Sequence, residues 1–164
     1  MGGILSSSTS YRSVGSLEEL LGDTLVTKDG EKKMADVIEN AGLILIYFSA
    51  HWCPPCRNFT PVLIEFYNTL KSEGRNIELV FVSSDRSQSE FSSYYSSMPW
   101  TALPFGSSKK SELSSRYNVS GIPKLIVVDP SKEFHVVDAE ARNTVASCKN
   151  PDHALNKWGM STTS

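Results

Sequence analysis

The chain alternates between two hydrophobic rhythms. Leu43-Ile44-Leu45-Ile46-Tyr47-Phe48 is one continuous apolar run, the pattern of a central strand buried on both faces. Ile77 to Val82 reads as a second buried strand, Leu125 to Val128 as a third and Glu133 to Val137 as a fourth. From about Cys53 to Glu73 the rhythm changes. Phe59, Val62, Leu63, Phe66, Tyr67 and Leu70 recur at steps of three and four, which predicts a long amphipathic helix. Pro61 removes an interior hydrogen bond, so a kink is expected there, and Gly74 is the expected stop. Shorter helices are predicted from Met34 to Ala41, Ser87 to Ser96, Lys109 to Tyr117 and Asp152 to Trp158. Asp29-Gly30, between Thr24–Lys28 and Lys32–Met34, is a hairpin signal. Strands alternating with helices predict an α/β layer architecture, and no internal repeat is seen.

The ends break the pattern. Residues 1–16 are rich in Ser and Gly and read as a loose tail, residues 17–158 as one domain, and residues 159–164 as a second frayed end. Met1-Gly2-Gly3-Ile4-Leu5-Ser6 fits the pattern for acylation of Gly2, but no cysteine or basic run supplies the second anchor that stable membrane attachment needs. The 164 residues suit one domain, which removes roughly 70% of its unfolded surface from water. A net charge of −2 argues against nucleic acid as a partner. No run approaches the ~18 apolar residues of a membrane span, and the first residues lack the basic and apolar regions of a secretory signal. The composition reads as a soluble intracellular globular protein; a monomer in the cytoplasm, and also in the nucleus, is the expectation.

Two of the three cysteines change that bland picture. Trp52-Cys53-Pro54-Pro55-Cys56-Arg57 follows the buried strand and opens the long helix. A helix start carries unpaired N–H groups and the positive end of the dipole, so a thiolate at Cys53 is favoured and its sulfur is expected to be accessible. Cys56 lies one turn deeper on the same face, where a thiol stays neutral longer. The spacing brings the two sulfurs within reach of a disulfide. Pro54 and Pro55 stiffen the link, and Pro55 falls in the first turn, where its missing N–H costs nothing. Lowering a thiol's pKa toward neutrality raises its thiolate fraction roughly tenfold but costs roughly fivefold in intrinsic nucleophilicity. The larger benefit is a better leaving group. Cys53 is therefore the candidate nucleophile, and Cys56 the candidate that displaces it.

Other uses of this pair fit less well. A structural zinc site needs about four ligands, and Cys148, His51, His135 and His153 are scattered, so no metal or other cofactor is expected. A structural disulfide is disfavoured where thiols are kept reduced. Cys148, alone near the end, reads as an inert thiol. Further on, Val119-Ser120-Gly121-Ile122-Pro123-Lys124 precedes an apolar strand. Pro123 belongs at the start or edge of that strand. The segment is either a plain turn or a cis Ile122–Pro123 bond packed against Cys53, with Ile122 backbone available to an extended substrate segment.

Together these residues resemble the tryparedoxin/nucleoredoxin branch of the thioredoxin superfamily. The resemblance rests on YFSAHWCPPCRNFTPVLIEFY, VFVSSD, the run from Met98 to Phe105, and RYNVSGIPKLIVVD, and it covers about Leu21 to Trp158. It implies a thioredoxin fold: a central mixed β-sheet flanked by helices, with the N-terminal hairpin and a larger middle insertion. It implies a cis bond at Pro123, Cys53 as nucleophile and Cys56 as resolving cysteine. Trp52, Pro54, Pro55, Ile122 and Pro123 would then line the surface that meets a partner. The activity implied is reduction of protein disulfides, with peroxiredoxin-type peroxidases among the partners and an upstream reductase or small dithiol as electron source. In the closing segment the branch uses two arginines toward its dithiol reductant. Arg142 is one; Thr144 stands at the other position, a departure that argues against trypanothione. Tyr47 stands where bacterial-type thioredoxins carry a buried acid, so the Cys56 proton must travel another way. A redox-gated interaction module with little turnover is the alternative function. Trp100 and Phe105 read as packing residues.

Overall fold

The computed structural model describes residues 16–38 and 40–160. The acylation pattern at Gly2 and most of both tails lie outside these residues. Helices α1 (Leu17–Leu21) and α2 (Met34–Val37) flank the hairpin β1 (Thr24–Thr27) and β2 (Gly30–Lys33). Strand β3 (Leu43–Ser49) leads into α3 (Pro54–Ser72) and β4 (Ile77–Ser83). Next come α4 (Gln88–Tyr95), β5 (Thr101–Ala102), α5 (Lys109–Arg116), β6 (Lys124–Asp129), β7 (His135–Asp138), α6 (Ala141–Ser147) and α7 (Pro151–Lys157). The strands form one mixed sheet in the order β2-β1-β5-β4-β3-β6-β7. β3 pairs parallel with β4 and antiparallel with β6.

Alternation along β3 divides the core. Leu43, Leu45 and Tyr47 face a layer that contains Phe59, Leu63, Phe66 and Leu70 of α3, with Phe91 and Tyr94 of α4. Ile44, Ile46 and Phe48 face the other layer, with Leu20, Leu21, Met34, Ile38 and Leu113. Every residue of β3 is buried, as the continuous apolar run predicts. Trp100 is fully buried, its ring edge-on to Tyr47 and Tyr67, and Phe105 packs against the same core.

Several boundaries differ from the sequence expectation. α3 runs as one helix through Pro61 and ends with Gly74 at φ 74°, where Gly74 N–H reaches Lys71 O and Arg75 N–H reaches Leu70 O. α2 stops at Val37 rather than Ala41, because Ile38 turns extended and buries its side chain. The hairpin turns at Lys28-Asp29, so Gly30, at φ 104°, pairs with Thr27 as the first residue of β2. Glu133 and Phe134 are left-handed, which delays β7 to His135. β5 and α6 are elements that the periodicity did not announce. No helix among the described residues is long and apolar enough to cross a membrane.

Candidate active site

β3 ends at Ser49, and four residues later Cys53 forms the N-cap of α3 with extended φ and ψ. Pro54 and Pro55 occupy the first helical positions, where no N–H is needed. Cys53 is 6% exposed and Cys56 0%. The deeper placement of Cys56 matches the helical spacing, but the freely accessible Cys53 sulfur expected from the sequence is not found. Ala50, Cys56 and the half-buried Ile122 pack around it. The Cys53 sulfur lies 4.0 Å from Ile122 O, and the Ile122–Pro123 peptide is cis, so the turn has the cis bond beside Cys53 that one of the two readings expected. Both cysteines are free thiols. Burial, reinforced by its contact with Cys53, pushes the Cys56 thiol up to about 11, against opposing hydrogen bonds from Ser49 and Ala50. Cys56 therefore stays protonated at neutral pH.

The cysteine loop is tied to the end of β4. His51 N–H donates to Asp85 Oδ1 at 2.8 Å, and Ser83 Oγ donates to Asp85 Oδ2 at 2.7 Å. Trp52 Nε1 donates to Ser84 O at 2.9 Å, and the Arg86 guanidinium sits 4.4 Å above the indole. Arg57 of α3 closes the loop from the other side by donating to His51 O at 2.6 Å. These bonds hold Trp52 at the surface, 42% exposed, beside the dithiol.

Below Cys56 lies a group of hydroxyls. Tyr47 OH and Tyr94 OH each contact Thr60 Oγ1 at 2.7 Å, Ser49 Oγ contacts Tyr94 OH at 2.7 Å, and Thr60 Oγ1 donates to Cys56 O at 3.0 Å. All four side chains are buried. Tyr47 does occupy the interior beside the dithiol, and burial drives its phenol, like that of Tyr94, further above the ordinary tyrosine range. Ser49, Thr60 and Tyr94 are site residues that the sequence reading missed. Thr60 was discoverable as the residue one turn after Cys56; Tyr94 carries no local signal.

The match to known proteins covers this whole arrangement. A thioredoxin-like family model matches residues 41–134. Probable nucleoredoxin 1 of Arabidopsis thaliana is 46% identical over 134 residues, which is 81% of this chain and 22% of that protein. Tryparedoxin of Trypanosoma brucei brucei is 40% identical over 135 residues, 82% of this chain and 90% of that one. The chain belongs to the thioredoxin-like family, in its tryparedoxin/nucleoredoxin branch. It spans less than a quarter of the length of the plant nucleoredoxin but nearly all of the trypanosomal tryparedoxin. A solved structure of tryparedoxin II in complex with glutathionylspermidine has a TM-score of 0.69 and 34% identity, covering 79% of this chain and 88% of that one.

The remaining candidates of this tryparedoxin-like chain fall into two groups. Lys124 bridges to Glu140 at 3.0 Å, which ties the start of α6 to the residue after Pro123. Arg142 is thus exposed at the same end of the sheet as the dithiol. Thr144 is committed to internal bonds: it donates to Asp138 Oδ2 at 2.6 Å and accepts from Lys157 Nζ at 3.1 Å. Cys148 sits apart, half-buried at the end of α6, its thiol donating to Val145 O at 3.2 Å. Among the described residues no three His, Cys, Asp or Glu side chains gather as a ligand set.

Proposed function

We propose that the chain reduces disulfides in protein partners through Cys53 and Cys56. The observation that carries this reading is the depth order of the two thiols: Cys53 at the mouth of α3 beside an exposed Trp52, and Cys56 wholly buried behind it. Cys53, as the thiolate, attacks one sulfur of the partner disulfide and forms a mixed disulfide. Cys56 loses its proton and attacks Cys53 Sγ. The Cys53–Cys56 bond forms, the bond to the partner breaks, and the partner leaves with two electrons. Because Cys56 is held one turn away, the second step is intramolecular and outruns attack by external thiols. Trp52, Pro54, Pro55 and the half-buried Ile122 form the proposed surface that meets the partner segment, while Pro123, expected on that surface, is buried behind it.

An upstream reductase or a small dithiol returns the pair to the reduced state, and Arg142 contributes to that encounter. Peroxiredoxin-type peroxidases, whose catalytic cycle produces a disulfide, are the partner class proposed from the likeness to tryparedoxin. Work in the cytoplasm or nucleus, where thiols stay reduced, suits this direction of flow. The test is insulin reduction driven by dithiothreitol, followed as turbidity. The wild-type protein accelerates precipitation and Cys53→Ser does not. Full activity of Cys53→Ser contradicts the proposal.

A further inference from the structure

Two exposed cations flank the loop that carries the dithiol. Arg86 follows β4, and Arg57 lies in the first turn of α3. Neither takes part in an ion pair among the described residues. The whole chain carries a net charge of −2, so this pair is a local feature of the dithiol face. The carboxylates nearby are already engaged. Asp85 is buried and accepts from His51 N–H and Ser83 Oγ. Glu90 accepts from the Arg86 backbone N–H at 3.0 Å but forms no ion pair with the guanidinium. Lys124, near the Ile122 side, is matched by Glu140 at 3.0 Å.

Arg86 is also held in place before any partner arrives. Glu90 fixes its backbone, and its guanidinium sits 4.4 Å from the centre of the Trp52 indole. The indole is itself fixed by its bond to Ser84 O at 2.9 Å. A cation–π contact holds the charge without consuming N–H donors, and among the described residues those donors meet no acceptor. A planar guanidinium matches a carboxylate through two parallel N–H bonds, and one that is already positioned loses less freedom on binding. Arg57 spends one N–H on His51 O at 2.6 Å and adds a second positive charge across the loop. We propose that the dithiol face selects partners with an Asp or Glu within about three residues of the disulfide, roughly 10 Å of extended chain, and that Arg86 on Trp52 reads that carboxylate. The inference rests on the dithiol reading above and names the partner class that this site prefers. Arg86 is a specificity residue: it touches the partner, and the exchange of electrons stays with Cys53 and Cys56.

Three disulfide-linked peptides test this, identical except for Glu, Gln or Lys two residues before the cysteine. Reduction of each by the full chain, recycled with dithiothreitol, gives kcat and KM. In wild type the Glu peptide is expected to have a KM about fivefold below the Gln peptide, the size of one well-placed exposed ion pair, with the Lys peptide highest and kcat common to all three. Arg86→Gln is expected to bring the Glu and Gln peptides within about twofold of each other. Arg86→Lys keeps the charge without the planar fork and is expected to retain part of the preference. Arg86→Glu is expected to reverse the order, so that the Lys peptide has the lowest KM, which a merely structural role for Arg86 does not predict. Wild type alone gives a further readout: the preference is expected to shrink in about 0.5 M salt, where charges are screened within a few ångströms. Equal KM values for the three peptides in wild type overturn the acidic-partner inference. A preference that survives both Arg86→Gln and Arg86→Glu overturns Arg86 as its reader. Failure to reduce any of the three peptides overturns the dithiol reading instead.

Discussion

Asp85 holds the backbone N–H of His51 at 2.8 Å across 34 residues of sequence, and so fixes the loop that carries Trp52 and Cys53. The same carboxylate accepts from Ser83, and Asp85 N–H in turn donates to Ser83 Oγ at 2.9 Å. A buried acid with this many donors acts as a bracket between the end of β4 and the start of α3. The VFVSSD run thereby gains a structural meaning: its last residues hold the reactive loop in place.

Asp85→Ala strands the His51 N–H and the Ser83 hydroxyl. Leaving buried polar groups unpaired costs about 1–3 kcal/mol. Urea denaturation is expected to show a loss of that order, and insulin reduction is expected to fall with it. An unchanged midpoint and unchanged activity together contradict the bracket.

Trp52 is exposed beside the dithiol, so its removal costs little folding energy. Trp52→Ala is expected to raise KM for a protein disulfide severalfold while reduction of a small aromatic disulfide changes little. Arg86→Ala, which removes a cation–π contact of about 0.5–1 kcal/mol, is expected to have a weaker effect in the same direction. Equal losses on both substrates would place Trp52 in the chemistry rather than in docking.

Asp138 anchors the closing segment. Burial alone would raise its pKa. Hydrogen bonds from Thr144, Trp158 and the Glu140 N–H, together with Lys157, outweigh that and hold it below the ordinary carboxylate value. A carboxyl lowered on folding stabilises the protein above its unfolded pKa of about 3.9, and that contribution is lost as pH falls through the folded value. The wild-type Tm is therefore expected to drop as pH falls below about 4. Asp138→Asn is expected to have a lower Tm at neutral pH and a shallower acid slope. Parallel slopes for the two proteins contradict this role.

The parts of the molecule legible in the sequence are those with a period or a spacing. β3 is buried on both faces, so its apolar run was unmistakable, and α3 showed its core stripe through Phe59, Leu63, Phe66, Tyr67 and Leu70, whereas Val62, read into the same stripe, is exposed. Cys53 and Cys56 were readable because one helical turn fixes their relation. β5 is two residues long, too short for any alternation to register, and it exists because β1 and β4 pair with it from both sides. α6 lacks a strong apolar stripe and is held by Asp138, which is invisible in composition. The accessible Cys53 failed as an expectation because Ile122, 69 residues away in sequence, covers its sulfur. The Ser49–Tyr94 contact, separated by 45 residues, was beyond reach for the same reason.

The division of labour between Cys53 and Cys56 is tested most directly by trapping. Cys56→Ser, reduced and then mixed with a disulfide-bonded protein, is analysed by mass spectrometry of the non-reduced digest. The account predicts a stable mixed disulfide at Cys53 that wild type does not accumulate. Adducts at Cys148 alone, or none at all, would contradict it.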